Sequence, residues 1–167
     1  GTMLSWITGP TGECFSYNDW DGDRTVARVI DPGSGRIVRT LDQAVACVSD
    51  DGRRAWGRDY ARSYRCRTVT GYASAIAGPM VAHPTNDGLW TIDLVSGASR
   101  LVLSIADVVA AAPDALTVGA PAWFDHIQAN PSGSRLLFIF RIVVGRGWAS
   151  SLWTCAADGS ELRQLTG

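Results

Sequence analysis

The sequence predicts an all-β chain, a partial β-propeller of about three four-stranded antiparallel blades with one short helix in a linker. Two recurring units predict it. One is a Gly-centred turn leading into a strand: TGECFSYND from Thr11, DGRRAWGRD from Asp51 and SGSRLLFIFR from Ser132. The other is a strand, a tight turn and a strand: VARVIDPGSGRIVRTL from Val26, LWTIDLVSGASRLVLSI from Leu89 and LWTCAADGSELRQLTG from Leu152. A four-stranded antiparallel unit repeated in series is the signature of propeller blades. A Rossmann or TIM reading would need helices repeated between the strands, and the pattern has none.

The first blade covers residues 1–41. Its first two strands are expected near Met3 to Ile7 and Glu13 to Asn18, followed by the hairpin from Val26. The second blade covers 42–105, with strands near Ala44 to Ser49 and Arg54 to Asp59. A long insertion, 60–87, without clear periodicity, separates these from the second hairpin. Asp31 and Asp93 open turns of the pattern Asp-x-x-Ser-Gly, and Gly35 and Gly97 supply the left-handed position. The alanine-rich stretch Ile105 to Ala112, stopped by Pro113, predicts a helix in the linker 106–121. The third blade, 122–167, is expected as strands Phe124 to Asn130, Arg135 to Ile142, Leu152 to Ala156 and Glu161 to Leu165, with Asp158-Gly159 as its hairpin signal.

Closed propellers use about four to eight blades. Three blades leave two apolar sheet faces bare, and patches of that size mark interfaces. The expectation is a piece of a larger propeller or a chain that self-associates, with further blades as partners.

At 167 residues the chain suits one domain with a core, and its net charge of −1 argues against nucleic acid or an anionic membrane as partner. No apolar run approaches the roughly 20 residues that span a bilayer. All fifteen basic residues are arginine. Codon usage explains this blandly; a need for planar guanidinium forks that grip carboxylates is the functional alternative. The cysteines Cys14, Cys47, Cys66 and Cys155 form no CxxC pair, and packing is their default role.

The candidate site residues lie on one rim. The first strand of each blade lines the channel, which places Trp6, Val45 and His126 there. Period-two alternation puts Phe124, His126 and Gln128 on one face, and a lone strand histidine with a purely structural role is the competing account for His126. The insertion begins RDYARSYRCR, setting Arg58, Arg62, Arg65 and Arg67 among Tyr60 and Tyr64. Guanidinium forks bind carboxylates and aromatic rings stack on sugars, which suits an acidic oligosaccharide. Local ion pairing with Asp50, Asp51 and Asp59 is the competing account. VGRGWAS, from Val144, reads as a flexible rim loop presenting Arg146 and Trp148, the latter a stacking candidate or an edge residue packed on its own blade. His83, in VAHPTND, reads as a surface histidine at a turn. DWDGDR, from Asp19, has a calcium-loop flavour but lacks the full ligand series, so a solvated turn is expected.

The order ML-x-W, YND, DGDR, VSDDGR, an Arg-rich segment ending in GYA, DGLWTIDL-x-SG, H-x-Q-x-NP-x-G and LWT-x-x-x-DGS resembles the oligogalacturonate-lyase-like propellers, bacterial relatives of the TolB type. That resemblance implies a seven-bladed parent, β-elimination on oligogalacturonates and a manganese ion held by histidines and a glutamine above the channel. It makes His126 and Gln128 metal-ligand candidates, and His126 and Arg141 catalytic candidates. His126 would act as base or as ligand; Arg141 or an insertion arginine would stabilise enediolate-like charge. Arg58, Arg62, Arg65, Arg67 and Trp148 would bind substrate. The family pattern has a histidine where Phe140 precedes Arg141, and its further histidine motif would fall beyond Gly167. The alternative expectation is a non-catalytic propeller module that binds a protein or sugar partner.

Overall fold

The computed structural model describes residues 3–69, 79–112 and 119–167. The fold is all-β, three four-stranded antiparallel sheets in series, as in part of a propeller. Sheet one holds β1 (Ser5–Gly9), β2 (Gly12–Trp20), β3 (Thr25–Asp31) and β4 (Arg36–Leu41). Sheet two holds β5 (Val45–Val48), β6 (Arg54–Gly57), β7 (Gly88–Asp93) and β8 (Ser99–Ser104). Sheet three holds β9 (Ala122–Ala129), β10 (Arg135–Val144), β11 (Gly147–Ala156) and β12 (Arg163–Thr166). Each strand pairs with the next in the chain, so every sheet is a simple meander.

Alternation along these strands gives each sheet two faces, and the faces stack. Ile7, Cys14, Ala27, Val29 and Leu41 of sheet one meet Val45, Ala55, Ile92 and Leu94 of sheet two. The other face of sheet two, with Trp56 and Leu89, meets Phe124, Leu136, Phe138, Phe140 and Trp153 of sheet three. Phe124 contacts Phe138 and Phe140 at ring-centroid distances of 5.0 and 5.4 Å, the second edge-on. The cysteines are free, and burial pushes the thiols of Cys47, Cys66 and Cys155 up to about 11, as expected of packing residues.

Polar side chains stitch the sheets at the inner strands. Asn18, buried on β2, donates to the Val45 carbonyl at 2.7 Å and accepts from the Val45 amide at 2.8 Å. Arg58, two residues past Trp56, occupies the matching place after β6 and donates to the Phe124 carbonyl of β9 at 2.6 Å.

The linker helix is α2 (Ile105–Ala111), opened by a Ser104/Asp107 capping box; the proline expected to stop it lies outside the described residues. A second helix, α1 (Tyr60–Cys66), starts the insertion that lacked a periodic signal. Asp59 caps it by accepting from the Ala61 amide at 2.8 Å. Seven residues are too few for a hydrophobic stripe to show in sequence, and tertiary bonds hold this helix. The expected VGRGWAS loop is instead a hairpin: β10 and β11 continue to a turn at Gly145 and Arg146, with Gly145 at φ 56°. The DWDGDR turn spends Asp19 and Asp21 on Arg28 and Arg24 on Asp42.

Candidate functional site

The inner strand of sheet three does not alternate regularly, and this decides where its polar residues go. Gln128 pairs with Leu137 and Asp125 with Ile139, so His126 and Ile127 together oppose the single Phe138. This is a β-bulge, and its first residue, His126, takes φ 47°. The bulge resets the face parity. Phe124 and Ile127 both enter the core, while His126 and Gln128 emerge into solvent. Phe124 therefore does not share a face with His126 and Gln128, because an inserted residue breaks the period of two.

Behind His126 the bulge buries a carboxylate. Asp125, 5% exposed, sets Oδ1 3.1 Å from Arg58 Nη2 and Oδ2 3.0 Å from Arg141 Nη1. The Arg141 contact is close but not aligned as a hydrogen bond, and Arg141 Nε and Nη1 have no hydrogen-bond partner among the described residues. Two guanidinium groups against one carboxylate leave an excess positive charge under the rim. His126 Nε2 stands 4.0 Å from Asp125 Oδ2, with its side chain 65% exposed.

Arg58 is tightly used. It donates to Ser63 Oγ of α1 and to the Phe124 carbonyl, and its guanidinium lies 4.3 Å from the Tyr60 ring centroid. Burial raises the Tyr60 phenol, with Arg58 opposing, so the ring stays protonated at neutral pH. Met3, Cys47, Arg58, Tyr60, Asp125, His126 and Gln128 line a concavity of about 440 Å³.

The other arginines divide. Arg62, 8% exposed, bonds Asp87 at 2.6 Å, the Val81 carbonyl at 2.7 Å and the Ala122 carbonyl at 3.0 Å. It pins the insertion onto sheet three. His83, half-buried, does likewise, its Nε2 lying 2.9 Å from the Ala120 carbonyl. Arg65 is half-buried in the last turn of α1. Arg67 reaches the rim of sheet three, its guanidinium 4.5 Å from the Trp148 ring centroid, with Arg141 at 5.8 Å. Trp148 is 43% exposed on β11.

The structure thus brings His126, Arg58 and Arg141 around Asp125, with Gln128 on the concavity at His126, and sets Trp148 and Arg67 on the far side of Arg141. It spends Arg62 on Asp87 and on backbone carbonyls instead. Asp125 escaped the sequence reading because regular alternation assigns it the face opposite His126. A lone aspartate inside an apolar strand, WFDHIQ, was the available signal.

Among the described residues no group of three or more His, Cys, Asp or Glu side chains could hold a metal ion. His126 and Gln128 supply two donors, and the nearest carboxylate is already neutralised by guanidinium groups that repel a cation. These residues do not fit a bound manganese ion by themselves.

No family model matches the chain, and no curated protein matches it in sequence. Among solved structures it is similar to a putative 6-phosphogluconolactonase from Bacteroides uniformis, at 12% identity and a TM-score of 0.43. The alignment covers 98% of this chain and 40% of that one, so the chain spans well under half of that protein's length.

Proposed function

We propose that the concavity at His126 binds the carboxylate-bearing sugars of an acidic oligosaccharide, and that the chain contributes this rim to a propeller of the oligogalacturonate-lyase-like kind. The observation that carries the reading is the strained bulge. A non-glycine residue at φ 47° costs roughly 1 kcal/mol and tends to persist at functional sites. Here that conformation raises an imidazole over two arginines that share a single carboxylate. A uronate carboxylate complements the excess charge. The half-exposed Trp148, backed by Arg67, offers a ring for a sugar face.

In the catalytic form of this reading, unprotonated His126 removes the proton beside the uronate carboxylate. The C–H electron pair becomes the carbon–carbon double bond, and the glycosidic oxygen leaves with its bonding pair. Arg141 supports the developing enediolate charge from below. A second reading, a module that binds without turnover, is favoured by one observation: among the described residues the His126 imidazole has no partner closer than Asp125 Oδ2 at 4.0 Å to orient it as a base.

Calorimetry with trigalacturonate, its methyl ester and a neutral trisaccharide tests the binding claim. Binding of the free acid alone supports it; equal binding of all three, or none, refutes it. Ultraviolet absorbance of an unsaturated product, with and without manganese, separates the lyase from the module.

A further inference from the structure

The His126 concavity is lined by a carboxylate with one oxygen that the protein does not use. Asp125 Oδ2 is buried, on a side chain only 7% exposed, and no group among the described residues donates a hydrogen bond to it. Its sister oxygen is committed: Oδ1 accepts from the His126 amide at 3.1 Å and faces Arg58 Nη2 at 3.1 Å. Buried polar side-chain atoms are for the most part hydrogen-bonded, so an unmatched acceptor marks a place where a donor belongs.

The neighbouring side chains fail to supply that donor for reasons of position. Arg141 pairs across the strands with Trp123, whereas Asp125 pairs with Ile139, so the guanidinium reaches the carboxylate diagonally. Its Nη1 comes to 3.0 Å from Oδ2 without the alignment of a hydrogen bond. The bulge turns the imidazole outward, and His126 Nε2 stops 4.0 Å from Oδ2, beyond hydrogen-bond range.

Charge decides which donor suits Oδ2. Arg58 and Arg141 already bring two positive charges to this one carboxylate, so a neutral donor is favoured over an ammonium. A ligand carboxylate is repelled by Oδ2 itself and belongs with the surplus guanidinium charge. On a saccharide the neutral donor is a hydroxyl. Because Oδ2 and Arg141 Nη1 are in contact, the hydroxyl and the carboxylate that they draw must be neighbours on the ligand.

We propose, building on the saccharide reading, that Asp125 Oδ2 accepts the C4 hydroxyl of a terminal uronate, so that the site takes the free non-reducing end of the chain. In a uronate ring the carboxylate is carried on C5. One ring neighbour of C5 is the ring oxygen, and the other is C4, which alone can bear the adjacent hydroxyl. In a chain linked through the C4 oxygen, every internal residue has spent that oxygen on a glycosidic bond and has no proton to offer. Only the end residue presents both groups side by side. It has no leaving group at C4, which agrees with a module that binds without turnover.

Calorimetry with trigalacturonate and its analogue lacking the terminal C4 hydroxyl tests this, with the methyl glycoside at the reducing end as control. The deoxy analogue should bind about tenfold more weakly or worse, because it leaves Oδ2 buried and unpaired, while the glycoside should match the parent. His126→Gly should keep the ratio of parent to analogue although both affinities fall, since the imidazole is not the acceptor. Equal binding of parent and analogue overturns the role of Asp125 and leaves the saccharide reading intact. Loss of the ratio in His126→Gly moves the recognition to the imidazole and likewise overturns it. Weakened binding of the reducing-end glycoside overturns the direction of the chain. No binding of any of the three removes the saccharide reading and the terminal hydroxyl with it.

Discussion

Asp125→Asn is the most informative single substitution. It keeps the side-chain volume and deletes the one negative charge that Arg58 and Arg141 share. All three groups are largely buried, with 7% of the Asp125 side chain and 9% and 12% of the two arginine side chains exposed. Removing one partner of such a group costs about 3–5 kcal/mol, because uncompensated charge is left away from water. The amide oxygen can still accept from the His126 backbone N–H, which keeps the loss at the low end of that range. The expected loss is therefore about 3 kcal/mol, or about 6–12 °C in Tm for a chain of this length. Calorimetry and guanidinium unfolding both measure it. Arg141→Met in the same background removes the surplus cation and should recover ~1 kcal/mol or more, a coupling the two single variants would not show if independent. A Tm within ~2 °C of wild type for Asp125→Asn, or strict additivity in the double variant, would falsify the claim that Asp125 is the shared counter-charge.

His126→Gly should separate stability from binding. Glycine accepts φ 47° without strain and the imidazole is mostly exposed, so Tm should hold or rise, while calorimetric affinity for trigalacturonate falls at least tenfold. Arg62→Ala leaves Asp87 half-buried without its cation and releases the Val81 and Ala122 carbonyls. Limited proteolysis should then cut within 79–87 well before the sheets unfold, and unchanged resistance would refute the pinning role. Acid should destabilise the chain through its turns. Serine bonds hold Asp31, Asp51, Asp93 and Asp158 below the ordinary 3.8, from the Ser34 amide, Ser49 hydroxyl, Ser96 amide and Ser160 hydroxyl respectively. A depressed folded value means stability that is complete above 3.8 and lost as pH falls through the lower values. The Tm of Asp93→Asn should accordingly fall less steeply below pH 4 than that of wild type, and parallel slopes would refute this.

Repetition explains why the fold could be read in the sequence and the site could not. Asp31-x-x-Ser-Gly35 and Asp93-x-x-Ser-Gly97 declare their turns locally, since Asp31 and Asp93 accept from the Ser34 and Ser96 amides inside the turn itself. Strand type and order then follow from apolar runs between such turns. The site depends on one inserted residue. Nothing in WFDHIQA marks a bulge, because His126 replaces the glycine that usually announces a positive φ, and Phe138 must be in place opposite before the two-against-one pairing exists.

The arginines of the insertion were ambiguous for a related reason. A guanidinium written in a polar loop looks equally suited to a ligand carboxylate and to a carbonyl of its own chain. The structure separates them by position within the repeat. Arg58 stands where Asn18 stands one blade earlier, and both side chains bond the backbone of the next sheet's inner strand. Stitching sheets is thus the duty that this position shares in the first two blades, done neutrally by Asn18. Arg58 adds a charge that the stitch does not need, and Asp125 is buried beside it to answer that charge. Because Arg141 brings a second positive charge to the same carboxylate, the balance is left one anion short at the point where His126 meets solvent. That deficit is a property of the third blade, absent at the otherwise equivalent Asn18 joint, and it is the physical reason to look for an acidic ligand there.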